Sequence, residues 1–333
     1  MSFRILGTGS FVPERAVTNA ELSVLADTSD EWIRKRVGVC ERRVCTTETT
    51  AEMGYRAAAS ALEQARVRPD DIDMILCATV SGDTVSPSAA CVIQKKLGAG
   101  CPAMDINAAC SGFIYMLDTA AGFFARRRVK KMLVIGAERL SKLVDWSDRG
   151  TCVIFGDAAG AAVLGEGDCY IASKLFARGN DSVIRVPAYH GSSPFYSNEP
   201  EHPYIHMNGQ ETFKFAVGAM AGDLLEVFEL AGVTAQQIAW VIPHQANLRI
   251  IEAAVKKTGV PPERFCTNIE RYGNTSAASI PLLLDEVNRE RRLKNDDLIA
   301  LTSFGAGLSS AACVIRWSAE SGAGTDLNGS VIY

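Results

Sequence analysis

The chain has 333 residues, with 34 basic against 38 acidic side chains and a net charge of −4. That is enough chain for one large domain or two ordinary ones, without the basic excess of a nucleic-acid-binding surface. Hydrophobic residues make up 47%, yet no apolar run approaches the ~18 residues of a spanning helix. The opening MSFRILGTGSFVPERAV also lacks the basic and apolar regions of a signal peptide. These features predict a cytoplasmic protein with no membrane partner.

GTGS at 7–10 is half of a dinucleotide fingerprint, lacking both the third glycine and an acidic partner. Residues 51–66 predict a helix that Pro69 prevents from continuing, and 73–80 (DMILCATV) a buried strand. SPSAACVIQKKLG (86–98) reads as a capped helix, with Ser86 at the N-cap, Pro87 in the first turn and Gly98 past the end. In DINAACSGF (105–113) a short strand runs through small residues into a helix on which Cys110, Ile114, Leu117, Ala121 and Phe124 recur. Cys110 is thus expected in the first turn of a buried helix, where free N–H groups favour a thiolate. Read alone, the stretch also fits a small buried filler thiol.

Residues 131–138 and 160–167 predict further strands. His202 and His206 in HPYIH have metal-like spacing, but Pro203 argues against the helix that would align them, so no metal is expected. The strand IAWVI (238–242) ends in Pro243-His244-Gln245-Ala246-Asn247, and a helix follows. Asn274 lies in a turn after Gly273, among small residues. TSFGAGLSS (302–310) is a strand entering glycine-rich backbone that can present N–H groups to an oxyanion.

The ten cysteines include no CxxC and suggest neither a disulfide framework nor a zinc site. Helix and strand alternate throughout, which predicts an α/β protein with covered, largely parallel sheets. VRPDDIDMIL from Val67 aligns with VTAQQIAWVI from Val233, an offset of 166 residues, and KMLVIGA at 131 aligns with DLIALTS at 297. Two copies of one α/β unit are expected to meet at a cleft lined by strand ends from both halves.

Cysteine in AxCxGF, histidine in PHQAN, asparagine in GNTSAAS and a closing FGAGL, in that order, resemble the β-ketoacyl-acyl carrier protein synthases of type III. These are thiolase-fold condensing enzymes that initiate type II fatty acid synthesis. The resemblance runs from ILGTGSFVPE to Trp317. It implies two duplicated halves with mixed sheets in an α-β-α-β-α layering. The nucleophile belongs to 1–170 and the His and Asn to 171–320, with a flexible tail at 321–333.

The resemblance further implies catalysis by Cys110, His244 and Asn274, with an oxyanion held by the backbone N–H groups of Cys110 and Ala306. The family usually has glycine at the latter position. A backbone donor survives the change where φ suits a Cβ. Coenzyme A would meet Thr28, Trp32, Arg36 and Arg149 at its adenine end, and Gly209, Phe213, Ala246 and Asn247 along its pantetheine arm. Lys214, Arg249, Lys256 and Lys257 would dock the acidic, malonyl-loaded carrier protein. Family members restricted to acetyl primers carry a bulky aromatic where this chain has Ser86, preceded by Val85, so a deeper acyl pocket is expected. Acyl-CoA is a substrate, no cofactor is implied, and the family's usual state is a homodimer. The alternative is a secondary-metabolism relative that uses another acceptor.

Overall fold

A computed structural model describes residues 2–187, 194–195 and 203–318. His202 and the expected tail at 321–333 lie outside the described residues. The first half contains β1 (Ser2–Phe11), β2 (Ala16–Thr18), α1 (Asn19–Leu25), α2 (Asp30–Arg36), β3 (Glu41–Arg43), α3 (Thr50–Ala65) and β4 (Met74–Ala78). It continues through α4 (Ala89–Leu97), β5 (Ala103–Ile106), α5 (Gly112–Ala125), β6 (Lys131–Arg139) and β7 (Asp157–Gly167). The second half opens with β8 (Tyr170–Asn180), β9 (Ile184–Arg185), β10 (His206–Met207), α6 (Gly209–Ala231), β11 (Ile238–Pro243) and α7 (Leu248–Thr258). It closes with α8 (Ile269–Tyr272), α9 (Ser279–Arg289), β12 (Leu298–Gly305) and β13 (Gly307–Arg316).

The halves repeat one topology. One sheet runs β1-β7-β6-β4-β5 and the other β8-β13-β12-β11. In each, a parallel pair (β4 with β6, β11 with β12) is followed by two antiparallel pairings. The sheets are therefore mixed rather than largely parallel. β12 turns directly into β13, and the β6-to-β7 link lacks the long crossover helix that a parallel pairing requires.

Alternation along the strands builds the layers. On β4, Ile75 and Cys77 pack with α3 and α4 residues such as Ala58 and Ile93. Leu76 and Ala78 turn the other way, into a central cluster that includes Phe113, Leu117, Leu283, Leu284, Ile242 and Leu301. α5 and α9 thus fill the space between the sheets, and α6 and α7 cover the outer face of the second one. The result is the α-β-α-β-α arrangement of the thiolase fold.

Two local readings sharpen. Gly7 and Gly9 serve packing: a Cβ on Gly9 would stand 2.3 Å from the backbone N of Ala61, so their absence lets α3 lie against β1. The N-cap of α4 is Ser88, not Ser86. The Ser88 hydroxyl accepts the Cys91 N–H, while the Asp105 carboxylate accepts those of Ala89 and Ala90, which fixes the helix start at Ala89.

Candidate active site

Cys110 lies in the 3-10 turn Ala109–Ser111, between β5 and the first residue of α5. Ala109 holds φ of 48°, a left-handed conformation that disfavours a Cβ by about 1–2 kcal/mol. The surroundings enforce it. A Cβ on Gly305 would fall 2.8 Å from the Cys110 nitrogen, so the end of β12 presses on the turn. Ser309 Oγ donates to Ala306 O at 2.9 Å and lies 3.3 Å from Ala108 O. On the other flank sits the 3-10 turn Ser276–Ala278, where Ser276 has φ of 50°.

His244 follows β11, and its backbone N–H donates to Thr302 O at 2.8 Å. The ring packs edge-on to Phe304 at 5.4 Å between centroids. Its side chain is enclosed, and neither ring nitrogen has a hydrogen-bond partner among the described residues. Burial alone lowers its pKa to about 3, so the imidazole is neutral at physiological pH. Asn274 is held by backbone bonds on both sides, to Ile154 O and from Gly156 N. Its Oδ1 accepts the Ser276 N–H at 2.8 Å, which turns the amide NH2 away from that contact. Gly273, at φ 64°, makes the preceding turn and packs on Ile154 O.

These residues converge. A cavity of about 200 Å³ is lined by Cys110, His244, Asn274 and Ala306, with Gly209, Phe213, Ala246 and Asn247 along its wall. Ala306 is not among the positive-φ residues, so its alanine side chain sits on ordinary backbone and the N–H is retained. At Cys110 the thiolate expectation is reversed. Burial pushes the thiol up to about 12. Desolvation outweighs the helix start.

The remaining expected residues fall into three places. Trp32, Arg36 and Arg249 line an outer groove of about 520 Å³. The Arg149 guanidinium lies 5.6 Å from the Trp32 ring centroid and donates to Asp27 O. Thr28, beside this groove in sequence, has a buried hydroxyl with no hydrogen-bond partner among the described residues. The walls of groove and cavity touch: Asn247 Nδ2 donates to Arg36 O at 3.1 Å, and Arg249 stacks over Phe213 at 5.1 Å. Lys214, Lys256 and Lys257 are exposed on α6 and α7 and line neither space. Val85 is 96% exposed and lines a second, wider groove that shares Val80, Ala109, Val186 and Ala306 with the cavity. Ser86 is exposed and lines neither the cavity nor this groove.

Sequence reasoning missed Phe304, which shapes the His244 ring, and Ser276, seen only as a small packing residue. It also missed Glu138, whose signal was an acid closing the otherwise apolar strand KMLVIGAE. Among the described residues no cluster of three or more His, Cys, Asp or Glu is placed to share a metal, and no helix is long and apolar enough to cross a membrane.

Known proteins share this arrangement. The family profile described as 3-oxoacyl-[acyl-carrier-protein (ACP)] synthase III matches residues 104–179, and its C-terminal counterpart matches 228–317. A β-ketoacyl-[acyl-carrier-protein] synthase III of Clostridium acetobutylicum is 44% identical over 321 residues, covering 95% of this chain and 99% of that one. The crystal structure of the Aquifex aeolicus 3-oxoacyl-[acyl-carrier-protein] synthase III superposes with a TM-score of 0.88 at 43% identity, covering 95% and 100% of the two chains. The priming β-ketosynthase from the R1128 polyketide biosynthetic pathway superposes with a TM-score of 0.89 at 34% identity, over 95% and 96%. Near full-length identity at this level, on a doubled α/β frame with one cysteine turn facing a histidine and an asparagine, makes the chain a member of the β-ketoacyl-acyl carrier protein synthase III family.

Proposed function

We propose that the chain catalyses the decarboxylative Claisen condensation of an acyl-CoA primer with malonyl-acyl carrier protein, the step that initiates fatty acid synthesis. The observation that carries the assignment of roles is the convergence of Cys110 from one half with His244 and Asn274 from the other on a single cavity.

Coenzyme A enters past Trp32 and Arg149, with its pantetheine arm along Phe213 and Asn247. The Cys110 sulfur attacks the thioester carbonyl, and the CoA thiolate leaves. Malonyl-carrier protein then replaces CoA, docking through Lys214, Arg249, Lys256 and Lys257, whose local positive field suits an acidic partner. Its carboxylate departs as CO2, and the electron pair moves onto the thioester oxygen as an enolate. A neutral His244 N–H and the Asn274 amide donate to that oxygen. The enolate carbon attacks the acyl-Cys110 carbonyl, whose oxyanion is met by the backbone N–H groups of Cys110 and Ala306. Collapse releases the β-ketoacyl-carrier protein. The carboxylate supplies the electron pair, so the scheme calls on neither metal nor organic cofactor. We place the reaction in the cytoplasm and in a homodimer.

Intact-mass and peptide analysis after incubation with acyl-CoA tests the nucleophile. One acyl adduct on Cys110 is expected, and none in Cys110→Ala. An adduct on another cysteine would overturn the assignment. The 34% identity to a polyketide priming ketosynthase favours a second reading, condensation onto a secondary-metabolism acceptor. Turnover with fatty-acid malonyl-carrier protein, set against malonyl-CoA and amine or alcohol acceptors, separates the two.

A further inference from the structure

Gln245 follows His244 and is as deeply buried, with 1% of its surface exposed. Its side-chain amide has no hydrogen-bonding capacity left over. Nε2 donates to Pro243 O at 2.8 Å and to Cys266 O at 3.3 Å. Oε1 accepts the N–H groups of Asn268 at 3.0 Å and Ile269 at 3.2 Å. Two donors and two acceptor sites are all that a primary amide has. Turned over, the same amide would set its oxygen against two carbonyl oxygens and its nitrogen against two N–H groups, so one orientation alone is satisfied. The main-chain N–H of Gln245 donates separately, to Ser279 Oγ at 2.8 Å.

These partners lie on both sides of Asn274. Ile269 opens α8, which runs through Tyr272 into Gly273 and Asn274, and Ser279 is the first residue of α9, just beyond the turn Ser276–Ala278. The Asn268 side chain does not cap α8, so the Gln245 oxygen takes N–H groups that the start of the helix leaves open. One residue, adjacent to His244, therefore grips the Asn274 loop before and after the asparagine. The aim of the His244 ring needs such support. With no partner on either ring nitrogen among the described residues, it depends on the Phe304 contact and on the main chain that carries it. That main chain is pinned by Thr302 O on one side and by Ser279 Oγ on the other.

We propose that Gln245 is a positioning residue that fixes the spacing and mutual aim of the His244 and Asn274 side chains. The inference rests on the reading above in which these two groups donate to one enolate oxygen. Both must reach that oxygen at hydrogen-bond length, and a displacement of about 1 Å costs up to about 10²-fold in rate. Gln245 acts without meeting substrate, since it lines neither the cavity nor the two grooves. The Cys110 turn keeps its own supports at Gly305 and Ser309. The turn Ser276–Ala278 stays seated on β6 as well, where a Cβ on Gly136 would lie 2.3 Å from Ala277 O. Loss of Gln245 thus falls on decarboxylation.

Two assays of the intact protein test this: acylation by acyl-CoA followed by mass, and CO2 release from malonyl-carrier protein. Gln245→Met keeps the side-chain length and removes its four bonds. It is expected to lower kcat for decarboxylation about 10–100-fold, with KM for malonyl-carrier protein and the acylation rate each within about threefold of wild type. Ser279→Ala removes only the main-chain bond and should lower decarboxylation about 3–10-fold, again without loss of acylation. The decisive comparison uses the His244→Ala/Asn274→Ala double variant. There, adding Gln245→Met should change the residual decarboxylation by less than about twofold, because no donors remain to be positioned. A merely structural role would lower both half-reactions together and would multiply with the double variant. Either result, or decarboxylation by Gln245→Met within about twofold of wild type, overturns the proposal. Ser279→Ala decides by the same criteria if Gln245→Met does not fold. The two readings fail separately: undiminished decarboxylation in the double variant removes the enolate-donor assignment, whereas loss there beside a fully active Gln245→Met removes only the role of Gln245.

Discussion

His244 is 1% exposed, and its two ring nitrogens meet no hydrogen-bonding partner among the described residues. A protonated imidazole there would lack both water and an anion, so its pKa falls from 6.5 to about 3. Two consequences are measurable. Decarboxylation of malonyl-carrier protein should show no inflection near pH 6.5, because the donor is the neutral ring; an inflection there would mean a solvated histidine. Stability carries the same signature. The folded value lies below the unfolded one, so the unfolded chain binds the extra proton between these pH values, and stability falls as pH drops from 6.5 toward 3 by up to about 1.4 kcal/mol per unit. Urea midpoints of His244→Leu should therefore decline less than wild type between pH 6.5 and 4. Removing the enolate donors should also separate the half-reactions. His244→Ala and Asn274→Ala are expected to lose about 10²–10³ in decarboxylation while acylation stays within a few-fold. Equal loss in both steps would contradict that division. The types and order of Cys110, His244 and Asn274 were legible in the chain. Their ionisation was not, because desolvation depends on what surrounds a group in space.

β6 and the turn 276–278 meet with almost no clearance at Gly136. Gly136→Ala forces a methyl into the Ala277 carbonyl and is expected to cost about 1–3 kcal/mol in urea denaturation. It should also slow Cys110 acylation, because the displaced turn packs against the one that carries Cys110. A variant of wild-type stability and rate would show that this contact can relax. The elements themselves were readable where the signal is local: the helix expected over 51–66 is α3 (Thr50–Ala65), Gly98 stands just past the end of α4, and the strand expected over 131–138 is β6 (Lys131–Arg139). The start of α4 misled, because Ser86 and Ser88 are equivalent in sequence and the deciding partner, Asp105, arrives from the next strand. Glu138 escaped for the same reason. Its carboxylate is bonded by Thr79, Val80 and Ser81, which the parallel pairing of β4 with β6 brings to it. Asp105 and Asp157 are also acids near strand ends, and they bond backbone N–H groups, with the Ser141 hydroxyl added at Asp157.

At the scale of the molecule, the doubling legible at an offset of 166 residues becomes two sheets that share a four-strand order, with β5 added to the first, around shared central helices. The mixed pairing was not legible, since strand direction follows from connections rather than from strand sequence. Val85 and Ser86 stand exposed beside the wide groove that adjoins the cavity at Ala109 and Ala306. With no bulky aromatic at 86, specificity constants for butyryl- and octanoyl-CoA should equal or exceed that for acetyl-CoA. A strong acetyl preference would sink the deeper pocket. The left-handed turns at Ala109 and Ser276 occupy corresponding points of the two halves and pack against each other. Each half thus supplies one wall of the other's catalytic corner, and an isolated half has no cavity to enclose its own residues. Burial of the His244 ring is consequently a marker of completed docking, so its protection from carbethoxylation during refolding should appear only with the final, cooperative phase.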